Sequence, residues 1–84
     1  MAIKILIAED EEITLKHLLY NLKSEGYEVT GVHNGLEAWD RIQKEQFDIV
    51  IADIKMPEMD GLILLGKVKE KYPDIEVIII TGFG

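Results

Sequence analysis

The apolar positions of this chain alternate between two periods. Ile3, Ile5, Leu6, Ile7 and Ala8 form a short run rich in β-branched residues that ends at four acids, Glu9 to Glu12, the pattern of a buried strand running into a charged loop. From Glu12 to about Glu25 the spacing changes: Leu15, Leu18, Leu19 and Leu22 make one helical stripe, and Gly26 stops it. Glu28 to Val32 predicts a second, weaker strand. Asn34-Gly35 then turns the chain, with Asn34 as N-cap of a helix that carries Ala38, Trp39 and Ile42 and runs to about Gln43. Phe47 to Ala52 reads as a third strand, which also ends at an acid, Asp53. Met56-Pro57 and Asp60-Gly61 punctuate a loop. Leu62, Leu65, Val68 and Tyr72 predict a third helix, with Leu62 to Leu65 in the core, and Pro73-Asp74 ends it. Glu76 to Thr81 is the fourth strand, apolar on both faces from Val77 to Ile80, as in an interior parallel strand covered by helices on either side.

Strands alternating with helices predict right-handed βαβ crossovers and a parallel α/β sheet in one small domain, without internal repeats or low-complexity tracts. Composition narrows the function classes. Nine Lys and Arg against sixteen Asp and Glu leave a formal charge of −7, which repels a phosphate backbone and argues against nucleic-acid binding. Zero cysteines remove disulfides, thiolate metal sites and thiol nucleophiles, and agree with a reducing cytoplasm. The start, Met-Ala-Ile-Lys, leads straight into the first strand, so neither an export signal nor a membrane span is expected.

In an open parallel sheet, ligands bind beyond the carboxyl ends of the strands. Here those ends carry Glu9-Asp10, Asp53, and Thr81 followed by Gly82. If the first, third and fourth strands are neighbours, three carboxylates and a hydroxyl converge on one rim. Two carboxylates ~5 Å apart repel by ~3 kcal/mol at an effective dielectric of ~20, so such a cluster calls for a cation. An all-oxygen donor set favours Mg²⁺ or a similar hard ion over Zn²⁺ or Cu²⁺. A carboxylate beside such an ion can attack a phosphoryl group and carry it as an acyl phosphate, with Thr81 placed to hydrogen-bond a phosphoryl oxygen. No glycine-rich loop follows the first strand, which counts against nucleotide and flavin binding. His17 and His33 read as surface residues, and Trp39 as half-buried packing.

The first strand with its acids (Ile-Leu-Ile-Ala-Glu-Asp-Glu), Asn34-Gly-Leu-Glu-Ala38, the run Asp53-Ile-Lys-Met-Pro-Glu-Met-Asp-Gly61 and the ending Ile-Ile-Ile-Thr-Gly-Phe-Gly together resemble the receiver domain of two-component response regulators, over the entire chain. The resemblance implies a flavodoxin-like sheet of order 2-1-3-4, and a phosphoacceptor rather than an enzyme. It makes Asp53 the residue phosphorylated by a sensor histidine kinase. Asp10 becomes a direct Mg²⁺ ligand, Glu9 acts through water, and the Lys55 backbone carbonyl joins Asp53 in the metal shell. Thr81 matches the family's switch hydroxyl, and Met56-Pro57 and Gly61 match its loop formers. Gly84 precedes the place where the family has a fourth helix, a fifth strand with a phosphate-pairing lysine, and a fifth helix. Residues 1–84 are therefore expected to be the N-terminal portion of a receiver, with Lys55 no substitute for that lysine.

An uncovered fourth strand at the sheet edge would favour homo-oligomers formed through that edge. The competing reading is a receiver-like scaffold that folds and self-associates without switching. A phosphatase or dehalogenase with an aspartate nucleophile is weaker, because the general acid such enzymes place two residues after the nucleophile is here Lys55.

Overall fold

The computed structural model describes residues 2–81. Its elements follow in strict alternation: β1 (Lys4–Ala8), α1 (Glu12–Ser24), β2 (Glu28–Val32), α2 (Gly35–Lys44), β3 (Ile49–Asp53), α3 (Gly61–Lys71) and β4 (Glu76–Ile80). The strands form one sheet in the order β2-β1-β3-β4, and every pairing is parallel. Register places Ala8 between Val32 and Ala52, and Asp53 beside Ile80.

Because strand side chains alternate between faces, the sheet has two distinct cores. Leu6, Ala8, Val50 and Ala52 face α2 and α3, where Ala38, Ile42, Leu64 and Val68 cover them. Ile5 and Ile7 face α1 and meet Leu15, with Leu18, Leu19 and Leu22 packed around them. Leu6, Ile7, Val50, Leu64 and Val68 are fully enclosed, each contributing ~1.5–3 kcal/mol of burial. Helix ends are fixed locally. Asn34 accepts the amide of Glu37 and caps α2 as expected, Asp60 accepts the amide of Ile63 and caps α3, and Gly26, at φ +97°, ends α1 in a conformation other residues adopt poorly.

Two packing expectations need correction. The buried stripe of α3 is Gly61, Leu64 and Val68, whereas Leu62 and Ile63 point to solvent, about half exposed. Four consecutive apolar residues, Leu62 to Leu65, leave the phase of the helix open, and the docking of Gly61 against β3 decides it. Strand β4 is apolar on both faces, yet it lies at the sheet edge of the described residues. Val77 and Ile79 pack against the α2–α3 core, while Ile78, on the other face, is 48% exposed. Helix α1 serves β1 and β2 on that face and does not extend over Ile78. His17 and His33 are both exposed, and Trp39 is half-buried against Tyr72, as the sequence indicates.

Candidate functional site

The parallel sheet brings the C-terminal ends of β1 and β3 side by side, so Glu9 and Asp10, just past β1, meet Asp53, the last residue of β3. One carboxylate oxygen from each of the three lies within 4.8 Å of those of the others. Glu9 and Asp53 are buried, and Asp10 is exposed. Backbone donors hold the buried pair: the Glu11 amide donates to Glu9 Oε2 at 2.9 Å, and the Lys55 amide to Asp53 Oδ1 at 3.1 Å. Among the described residues, no donor reaches Asp53 Oδ2. Burial pushes the Glu9 carboxyl above its usual range; the Glu11 amide opposes the rise, and neighbouring Asp53 and Asp10 add to it.

The surrounding loops are pinned to this cluster. The Gly61 amide donates to the Ile54 carbonyl at 3.2 Å, and a Cβ on Gly61 would lie 2.4 Å from the Asp53 carbonyl oxygen. On Gly35 a Cβ would lie 1.9 Å from the Met59 carbonyl oxygen. Only glycine lets α3 begin this close to the end of β3, and α2 this close to the loop that precedes α3. Glu58, in the same loop, holds φ +74°, a strained conformation for a residue with a side chain.

The sequence places Glu9, Asp10 and Asp53 on one rim, and the structure brings them together. Lys55 is exposed; its amide serves Asp53, and its carbonyl has no intramolecular partner among the described residues. Thr81 is exposed one residue past Ile80, the register partner of Asp53, and makes no hydrogen bond to the acids. Gly82, expected to leave space beside it, lies outside the described residues. Two features escape the sequence reading. Glu11 caps α1 by accepting both the amide and the hydroxyl of Thr14, an uncommon task for glutamate, and this holds its own carboxyl below the usual range. His33 sits between Glu12 and Glu37, 3.4 and 3.7 Å away, joining the starts of α1 and α2. No motif marks either feature.

Comparison with known families gives a match to the response regulator receiver domain over residues 5–84. The chain belongs to the response regulator receiver family. This receiver is 42% identical over 80 residues to the response regulator receiver protein CpdR of Brucella abortus, covering 95% of this chain and 67% of that protein. It is 43% identical over 84 residues to the uncharacterized transcriptional regulatory protein YesN of Bacillus subtilis, covering 96% of this chain but only 23% of that protein. Among solved structures, a CheY-like receiver domain protein from Methanospirillum hungatei matches the receiver with a TM-score of 0.94 at 33% identity, over 100% of this chain and 67% of that one. TrrA of Thermotoga maritima, solved in complex with Mg²⁺-BeF, matches at 0.92 and 34%, over 98% and 71%. The flavodoxin-like architecture and the strand order 2-1-3-4 are those of the receiver fold. No helix among the described residues is long and apolar enough to cross a membrane.

Proposed function

We propose that this receiver accepts a phosphoryl group on Asp53 from the phosphohistidine of a sensor histidine kinase, with Mg²⁺ held by Glu9, Asp10, Asp53 and the Lys55 carbonyl. The observation that carries the reading is the convergence of three carboxylates on one rim, two of them buried, with an all-oxygen donor set of the kind Mg²⁺ takes. Bound there, the ion would neutralise the carboxylates and the phosphoryl oxygens. The Lys55 amide holds Asp53 Oδ1 and so orients the carboxylate, leaving Oδ2 without a donor. An Asp53 oxygen attacks phosphorus, the O–P bond forms, and the N–P bond breaks. The departing imidazole nitrogen keeps the electron pair and takes a proton from solvent. Thr81, at the end of β4, is the hydroxyl assigned to hydrogen-bond a phosphoryl oxygen and report the modification. In this role the chain is a phosphoacceptor, not a turnover enzyme; its setting is the cytoplasm, and its charge of −7 assigns it no nucleic-acid partner.

Intact mass after incubation with a small-molecule phosphodonor and Mg²⁺ tests this. A single phosphoryl adduct in the parent and none in Asp53→Asn is the expected result. No adduct in folded parent protein, or an adduct retained in the variant, refutes it. A second reading, a receiver-like scaffold that self-associates without switching, draws on β4. Its edge is unpaired among the described residues and Ile78 is half exposed, so a second copy pairing at β4 is the homo-oligomer we assign to this polypeptide.

A further inference from the structure

The loop from Ile54 to Asp60 joins β3 to α3, and hydrogen bonds fix both of its ends. The Ile54 amide donates to the Ile80 carbonyl at 3.0 Å, and the Gly61 amide donates to the Ile54 carbonyl at 3.2 Å. Between these points the chain enters the α2–α3 core twice. Met59 is buried there, and half-buried Met56 packs against the same cluster. Pro57 and Glu58, which connect the two methionines, are exposed.

So short a connection needs a tight turn. The Met59 amide donates to the Pro57 carbonyl at 2.8 Å, and Glu58 stands at the centre of the turn with φ +74°. A bond from residue i+2 back to residue i around a positive φ is a γ-turn of the rarer, strained form. Glycine takes such a φ without steric cost, whereas a residue with a Cβ does so against its preference. The Glu58 side chain does not offset this, since among the described residues its carboxylate takes part in no ion pair. The conformation is therefore imposed by the two methionine anchors and by α2. On the α2 side Met59 has no room to give way, because a Cβ on Gly35 would lie 1.9 Å from its carbonyl oxygen and 2.7 Å from its Cβ. Relaxation of Glu58 is then taken up on the other side, by Met56 and by the Lys55–Met56 peptide, which carries the Lys55 carbonyl. The Lys55 amide is already tied to Asp53 Oδ1, so the turn governs the remaining half of that residue.

We propose that Glu58 is a positioning residue for the metal: its positive φ sets the Lys55–Met56 peptide so that the Lys55 carbonyl joins Glu9, Asp10 and Asp53 around Mg²⁺. This assignment rests on the Mg²⁺ reading of the rim and adds to it what holds the backbone donor. The Glu58 carboxylate takes no part. Residue type at position 58 acts through the share of molecules that hold the turn, and apparent metal affinity falls in proportion to that share.

Calorimetric titration with Mg²⁺ tests this on uncharged replacements, so that loss of the Glu58 charge is common to all of them. Glu58→Gly should bind Mg²⁺ within about twofold of Glu58→Gln, because glycine keeps the turn, and its urea midpoint in chelator should be the higher of the two. Glu58→Val, whose branched Cβ makes a positive φ a genuine outlier, should bind about tenfold more weakly than Glu58→Gln, the factor reached when about one molecule in ten holds the turn. A turn that served only the fold would give the same order of urea midpoints with equal Mg²⁺ affinity in every folded variant, and that result overturns the proposal. Met56→Ala keeps the test decisive if the valine variant does not fold: it loosens the Lys55–Met56 peptide without touching the turn and should weaken Mg²⁺ binding severalfold, and unchanged affinity there overturns the proposal as well. A parent protein that binds no Mg²⁺ removes the metal reading and this assignment together, whereas a parent that binds with an affinity insensitive to position 58 removes the assignment alone.

Discussion

Alanine at two glycines of α3 should act in opposite directions. Gly66 is exposed in mid-helix, and a Cβ there meets nothing within 4 Å. Gly66→Ala therefore removes only the entropic cost of a helical glycine and should stabilise by ~0.5–1 kcal/mol. At Gly61 the added Cβ would lie 2.4 Å from the Asp53 carbonyl oxygen and 3.1 Å from the Ile54 Cα, against an optimal separation of ~3.5 Å or more. Both neighbours are backbone of the β3 terminus, so relief requires α3 to back away and stretch the Gly61 amide bond to Ile54. Overpacking at ~1–3 kcal/mol and a weakened hydrogen bond at ~1 kcal/mol together offset the helix-propensity gain several times over. Gly61→Ala should thus cost about 2–3 kcal/mol. Urea unfolding followed by Trp39 emission reads both, at a protein concentration where light scattering gives a single species. With a slope of ~1 kcal/mol/M for a small domain, the midpoint should fall by ~2–3 M for Gly61→Ala and rise by under ~1 M for Gly66→Ala. Equal shifts, or a Gly61→Ala midpoint within ~0.5 M of the parent, would refute the close-approach argument.

Four further outcomes follow from the acidic rim and its surroundings. Glu9→Gln keeps a side-chain acceptor for the Glu11 amide while removing a buried negative charge beside Asp53, so in chelator-treated buffer at neutral pH it should raise stability by on the order of 1 kcal/mol and weaken Mg²⁺ binding; thermal unfolding with and without Mg²⁺ separates the two effects. Asp10→Asn should lower Mg²⁺ affinity by calorimetric titration, and unchanged affinity would remove Asp10 from the ligand set. Glu11 has its folded carboxyl held low by Thr14, so its contribution is present above the usual glutamate range and fades as pH falls through the lower folded value; parent minus Glu11→Gln stability should shrink over that acid interval and stay flat at neutral pH. Light scattering at micromolar concentration should show species larger than a monomer, and Ile78→Lys should reduce them; a monomer in both cases rejects the β4 contact.

Much of the architecture was legible because two periods suffice to write it: the Leu15 to Leu22 stripe and the β-branched runs have no other stable placement. The rim was legible for a topological reason. Parallel strands that alternate with helices put Glu9, Asp10 and Asp53 at the same edge of the sheet, and the order 2-1-3-4 implied by the receiver resemblance makes β1 and β3 neighbours, so the three acids meet. What the sequence concealed depends on contacts between distant backbones. Leu62 and Leu64 are interchangeable by hydropathy, and only the seating of Gly61 on Asp53 sets which one is enclosed. Glu11 as a cap and Glu58 at positive φ violate residue preferences, so preferences could not have found them.

The position of β1 at the centre of the sheet bears on how the molecule assembles over time. Ile5 pairs with Val29 across one short crossover and with Ile49 across a loop roughly twice as long, yet doubling a loop adds only ~0.6 kcal/mol of closure cost. The two sides of β1 can therefore be recruited with little thermodynamic separation, while the order of synthesis presents β2 first. Glu9 and Asp10 are then delivered early to an open rim in water, where their charges cost little. Only the arrival of Asp53 with β3 closes the cluster, so the electrostatic cost of the pocket is incurred together with the burial of Val50 and Ala52 in the α2–α3 core, and the apolar gain of that core offsets it.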